Sequence, residues 1–365
     1  MDNLPISGIS ELQAHLQQLN DDRSLPIEVK LLDDVELQLT EDNIPPLLPT
    51  LLPLLAGILK ATTQDPTPLL SLTIKLLSPL SFTEALAIAD PPSLLTALSS
   101  PLSGANLLAL AIIKKAAASP SDVSILSTFP KVVEAMIRCW IATEDVGVGE
   151  RAARVLGDLL ETDCEIPDNG IDEASPQIGT NCNEEVVKRR VAGHGRLWKL
   201  ILSSRPNLSL IQQHCSFDAT EQAPGRTARE VTISQGRLLR LLPRLCTMNI
   251  AVLSRSFYPD LFVLPSAEAA YGAELGQGLL QWTALGMVDK SDMLMHLNLV
   301  DFFETLVSVM RVSKRSLTLD TFMGKLVKAA IQSDDQLKNA LRTLPDRTVE
   351  EEAEYLRTYI TGLLE

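Results

Sequence analysis

Residues 101–164 read PLSGANLLALAIIKKAAASPSDVSILSTFPKVVEAMIRCWIATEDVGVGERAARVLGDLLETDC. Three helical patterns follow one another in this stretch. The first is Leu107, Leu108, Ala111 and Ile112; the second is Val132, Val133, Met136, Ile137, Trp140 and Ile141; the third is Ala152, Ala153, Leu156, Leu159 and Leu160. Each spacing gathers apolar residues on one face of a 3.6-residue helix. Short breakers, Ser119-Pro120-Ser121-Asp122 and Gly147-Val148-Gly149, separate them. Helices with apolar faces this wide must cover one another, and a row of them stacked in sequence order is a helical solenoid.

Composition points the same way. Of 365 residues, 45% are hydrophobic and only 4% aromatic. The core is therefore built from Leu, Ile, Val and Ala, the filling of helix-on-helix packing, with few of the aromatic residues that favour strands. The expected class is all-α, a right-handed α-solenoid of armadillo/HEAT-like helix pairs. The net charge of −14, from 46 acidic and 32 basic residues, argues against a general affinity for nucleic acid. Cys139, Cys164, Cys182, Cys215 and Cys246 are odd in number and lack CxxC spacing, which fits a reducing compartment. MDNLPISGISELQ lacks the basic start of a signal peptide. The apolar runs Ile44 to Leu59 and Pro91 to Ile113 are interrupted by prolines and by SSPLSGAN respectively, so both read as buried helices and no membrane partner is expected.

The segment SPSDVSILSTFPKVVEAMIRCWIATEDVGVGERAARVLGDLLETD resembles the armadillo/HEAT-type proteasome assembly chaperones of the 26S non-ATPase regulatory subunit 5 family, whose fungal branch carries a DNA mismatch repair name. The likeness is best over Pro101 to Asp163 and weaker over Ala192 to Ser216. It implies a non-catalytic chaperone that holds the C-terminal small domain of one AAA+ ATPase of the proteasome base while the 19S regulatory particle assembles. It also implies a cytoplasmic location, with the nucleus as a second one. The alternative is a general armadillo/HEAT protein-binding scaffold, or a nuclear adaptor linked to DNA repair.

Along the chain, residues 1–42 read as an N-terminal cap, with Ser10 as the N-cap of a helix carrying Leu12, His15, Leu16 and Leu19. Residues 43–163 hold the N-terminal repeats, in which Pro66, Pro79, Pro101 and Pro120 divide segments of ~13 to 22 residues, two of which make a unit of ~40. Residues 164–185 lose periodicity and read as an acidic loop, 186–215 as middle repeats, and 216–230 as a second loop. Residues 231–365 return to helical pattern and end in a cap. In that cap Glu350, Glu351 and Glu352 suit a helix N-terminus, and Val349, Ala353, Leu356, Tyr359 and Ile360 form the apolar stripe.

No catalytic constellation stands out, so neither an enzyme nor a cofactor or metal is expected. Gly147-Val148-Gly149-Glu150-Arg151-Ala152 matches the letters of a dinucleotide fingerprint. That motif needs a strand before it, whereas Val132 to Ile141 has helical period, so a tight turn between helices is the better reading. His15, His194, His214 and His296 show no ligand spacing. Trp140, Trp198 and Trp282 each sit on a helical pattern and read as core. The anomaly is charge. Residues 188–255 carry twelve basic and three acidic residues, a local +9 in a chain of −14. Arg237, Arg240 and Arg244 share one helix face, and Arg189, Arg190, Arg196 and Lys199 flank Trp198. Charge runs are usually solvated faces paired internally, here with the acidic loops; the functional expectation is a ridge of guanidinium forks offered to an acidic protein partner.

Overall fold

A computed structural model of the chain describes residues 6–59, 62, 64–165, 192–217, 227–264, 275–313, 317–332 and 334–365. All regular structure among them is helical: eighteen α-helices and three 3₁₀ turns, with no strand. The N-terminal half comprises α1 (Ile9–Asp21), α2 (Val29–Glu36), α3 (Leu48–Leu59), α4 (Thr67–Leu76), α5 (Phe82–Ile88), α6 (Pro91–Leu98), α7 (Ser103–Lys114), α8 (Pro120–Ser127), α9 (Pro130–Ala142) and α10 (Val146–Thr162). There follow α11 (Arg196–Leu202), α12 (Arg205–Cys215), α13 (Ala228–Ser254), α14 (Leu279–Leu285), α15 (Met293–Val312), α16 (Leu317–Ile331), α17 (Asp335–Thr343) and α18 (Glu350–Leu364).

Local chemistry sets most helix starts. Asp90, Ser119, Asp145 and Asp334 each accept an N–H of the first turn. Ser81 with Glu84 and Thr227 with Glu230 close full capping boxes. Pro91, Pro120 and Pro130 stand in the first turn, where a missing N–H costs nothing.

Several boundaries differ from the sequence reading. Ser10 lies inside the first turn of α1, and the N-cap is Gly8 at φ 81°, a backbone that glycine adopts without strain. Helix α13 begins at Ala228, three residues before the expected boundary, because the Thr227–Glu230 box nucleates it there. It passes through Pro243 and bends at Asn249, whose φ of −157° and ψ of 76° are not helical. Pro53 is likewise inside α3. Val349, expected on the last apolar stripe, precedes α18 and is exposed.

One apolar core runs from Leu12 to Leu363. The principal helix pairs stay close in sequence. Helices α4, α7, α10 and α13 each pack on the next; so do α6, α9 and α12, and α8 packs on α11. Beyond α13, the pairs α13–α15, α14–α16, α15–α17 and α16–α18 continue the pattern of local packing. Between α10 and α11 the chain leaves at Glu165 and returns at Ala192. Gly193 N–H donates to Cys164 O at 3.0 Å and Gly195 N–H to Asp163 O at 2.9 Å, so the two ends lie side by side.

Candidate functional site

Helix α10 has a stripe of small residues, Gly149, Ala153 and Gly157, at four-residue spacing, so they share one face. Helix α13 runs along that face in the same direction. Its Arg237 lies over Gly149, where a Cβ would fall 2.4 Å from the guanidinium carbon, and its Arg244 lies over Gly157, where a Cβ would fall 2.4 Å from Nη1. A Cβ at either position would make the guanidinium group move.

Both guanidinium groups are engaged within the chain. Arg237 Nη1 donates to Thr143 O at 2.5 Å and Ile141 O at 3.4 Å, and Nη2 to Asp145 O at 3.2 Å. Ile141 O and Thr143 O belong to the end of α9, where carbonyls have no intrahelical partner, and Asp145 O also accepts Gly149 N–H at the start of α10. Burial draws the Arg237 pKa below its ordinary value. Arg244 Nη2 donates to Asp158 Oδ1 and Glu161 Oε2, both at 2.8 Å. Burial lowers its pKa, but the two carboxylates outweigh that and the net direction is upward. Arg240 is 75% exposed and stands 3.9 Å from Glu150.

The expected ridge of three forks is therefore rolled onto its neighbour. Arg237 and Arg244 clamp α13 to α10, and Arg240 points to solvent between them. Their internal partners are helix α10 and the turn before it, where the sequence reading had looked to the acidic loops. Arg196 is exposed at the first residue of α11, and Lys199, also exposed, stands 3.7 Å from Glu165. Arg189 and Arg190 lie outside the described residues. Trp198 is buried with its Nε1 donating to Leu160 O at 2.7 Å, and Trp140 and Trp282 are buried as well.

Beside this clamp, α4, α7 and α10 enclose an open groove of about 770 Å³. Ile74, Leu77, Ala111 and Ala117 form its apolar wall. Lys114, Lys115, Arg151, Asp158 and Glu161 supply its charges. Lys115 Nζ donates to Ser78 O at 3.0 Å and Leu80 O at 2.7 Å, and burial pulls its pKa below the usual lysine value. No aromatic ring lines the groove. Among its lining residues no nucleophile, base and oxyanion donor converge.

The other candidates resolve into structure. The glycines of GVGERA lie inside the first turns of α10, where the sequence reading expected an inter-helix turn, and α9 precedes them in place of a strand. Asp145 already occupies that helix start, accepting Val148 N–H at 2.9 Å and Ser103 Oγ–H at 2.6 Å, which leaves no anion site. His15 Nε2 accepts Glu28 N–H at 3.1 Å, and His296 is 2.8 Å from Asp334. Among the described residues no group of three His, Cys, Asp or Glu is placed to hold a metal. Burial pushes the Cys139 thiol up to about 11 and that of buried Cys246 higher still. The runs Ile44 to Leu59 and Pro91 to Ile113 form, respectively, a 3₁₀ turn with α3, and the pair α6 and α7. Among the described residues one helix, α15, is long and apolar enough to cross a membrane; it packs on α13, α17 and α18.

Two features escaped the sequence reading. Asp163, fully buried, accepts Leu197 N–H at 2.6 Å and Trp198 N–H at 3.1 Å with Oδ2, and so caps α11 from across the insertion. Asp334, also buried, caps α17 through Leu337 N–H and meets both His296 and Lys290. Asp334 stands beside its helix start in the sequence, whereas Asp163 follows the end of α10 and carries no such signal. Compared with models of known protein families and with curated proteins, the chain matches none.

Proposed function

We propose that this chain is a non-catalytic, protein-binding solenoid of three-helix, armadillo-like units. The observation that carries this reading is the threefold recurrence of packing: α5, α6 and α7 are followed by α8, α9 and α10, and then by α11, α12 and α13. Each position packs on its counterpart in α8–α11, α6–α9–α12 and α7–α10–α13. The first steps, Phe82 to Pro120, Pro91 to Pro130 and Ser103 to Val146, are 38, 39 and 43 residues, the size of one armadillo unit. The parallel course of α10 and α13 supports it, because equivalent helices of successive units run the same way. The sequence reading had expected helix pairs of that length; units of three fit the packing better.

A stack of this kind presents a long surface, and the groove along α4, α7 and α10 lies on it. The resemblance over Pro101 to Asp163 supplies the partner class: the C-terminal small domain of a proteasome base AAA+ ATPase, held during assembly of the 19S regulatory particle. On this reading the chain masks a docking surface until the ring is built. The test is affinity capture of the tagged full chain from a fungal cytosol with mass spectrometry of the bound proteins. Recovery of base ATPases free of the 20S core is the expected result. Recovery of transport or repair factors with no ATPase overturns the partner and leaves the scaffold reading.

A further inference from the structure

The groove carries cations that its internal partners do not balance. In a chain of −14, its rim carries Lys114 and Arg151, and among the described residues neither forms an ion pair. The two carboxylates that also line it, Asp158 and Glu161, are both held by Arg244 at 2.8 Å. One turn along α10 from Arg151 stands Arg154, and opposite it on α13 stands Arg240; a single carboxylate, Glu150, lies 3.7 Å from the first and 3.9 Å from the second. Cationic charge therefore exceeds its internal partners along a line that crosses α7, α10 and α13.

We infer that this groove binds an extended, acidic protein segment whose apolar side chains alternate with its carboxylates. The cations take the carboxylates, and the Ile74, Leu77 and Ala111 wall takes the apolar side chains. Nucleic acid fits less well. The groove has no ring on which a base could stack, and its apolar wall offers a phosphate backbone no partner. Helix axes pack about 9 Å apart, so the line from α7 to α13 with its margins spans roughly 25 Å, the reach of about eight extended residues. The inference rests on reading this face as the docking surface of the solenoid, and it adds the chemistry of what docks.

The test is fluorescence anisotropy with a labelled peptide of about eight residues in which glutamate and leucine alternate, titrated with the full chain at low salt. Lys114→Glu with Arg151→Glu is expected to weaken binding by about tenfold or more, and Lys328→Glu, an exposed cation on α16, to leave it unchanged. Because the altered side chains lie on the rim, circular dichroism and melting should match the wild type, and Lys114→Ala with Arg151→Ala should give a smaller loss in the same direction. No binding of the peptide, or equal binding by the reversed variant, overturns the inference. So does tighter binding of a labelled oligothymidylate through the same two residues. Capture of the ATPases is scored separately: an ATPase retained by a variant that has lost the peptide keeps the chaperone reading and assigns the groove to another segment.

Discussion

Asp163 closes the insertion between α10 and α11, and its removal should be felt far more than its place beside an acidic stretch suggests. Oδ2 is the acceptor for two backbone N–H groups of α11, at 2.6 and 3.1 Å, in a site with no solvent exposure of Asp163. Gly193 packs so tightly against it that a Cβ there would fall 2.1 Å from the Asp163 carbonyl carbon, so the turn cannot relax around a vacancy. Asp163→Ala strands both donors. Hydrogen bonds to a charged acceptor contribute about 1.5–3 kcal/mol each, and an N-cap about 1, so with one oxygen shared the loss should be about 3 kcal/mol. Asp163→Asn keeps an acceptor and removes the charge that faces the helix N-terminus, for a loss of about 1 kcal/mol. Amide hydrogen exchange at Leu197 and Trp198 reads the effect directly: about a hundredfold faster in the alanine variant and about fivefold in the asparagine variant. Wild-type exchange rates in Asp163→Ala would refute the capping argument. Equal damage from the two variants would show that charge, and not the acceptor, carries it.

Arg244→Ala should lower stability by about 1 kcal/mol, measured by urea unfolding. Its two ion pairs are about one-third exposed, so the effect should shrink in high salt. Asp334 has its carboxyl raised by burial but held, on balance, below its ordinary 3.8 by the Leu337 N–H, His296 and Lys290. A depressed carboxylate stabilises the fold above its unfolded pKa and loses that contribution as pH falls through the folded one. Asp334→Asn should therefore melt lower than wild type at neutral pH, and the gap should close below about pH 4; a gap of the same size at pH 3 would contradict this. Leu110→Ala, at a fully buried position of α7, should cost about 3 kcal/mol and speed exchange in α4, α7 and α10. If units stack one-dimensionally, α16 and α18 keep wild-type protection, and a uniform acceleration across the chain would contradict the solenoid reading.

What the sequence made legible is what is local. Leu107 to Ile112, Val132 to Ile141 and Ala152 to Leu160 are helices because their period is written in consecutive residues, and the core uses many of those positions. What it hid depends on a second segment. Gly147 and Gly149 look like a turn because glycine usually marks one; in α10 the second is required by a guanidinium that arrives from Arg237, nearly ninety residues later. Arg237, Arg240 and Arg244 do share a face, as their spacing says. The direction in which that face is rolled is set by α10, which no reading of α13 alone contains. Asp163 looks solvated because its neighbours in sequence are polar, yet its partners are Leu197 and Trp198.

The clamp between α10 and α13 also answers a problem of helices packed through aliphatic faces. Where two parallel helices meet through Leu, Val and Ala alone, sliding one past the other by a turn exchanges one aliphatic contact for another, and the register is poorly specified. Here a slip of α13 by one turn would bring Arg237 from Gly149 to Ala153, where a methyl group occupies the space the guanidinium needs. It would also take Arg237 from the Thr143 and Asp145 carbonyls and Arg244 from Asp158 and Glu161, leaving half-buried charges without partners. The two arginines thus contribute more to choosing one register than to the depth of the minimum. That register is what sets Arg240 beside Glu150, the carboxylate it shares with Arg154 of α10. The half-buried side chains held in the clamp thereby set the charge pattern of the neighbouring surface.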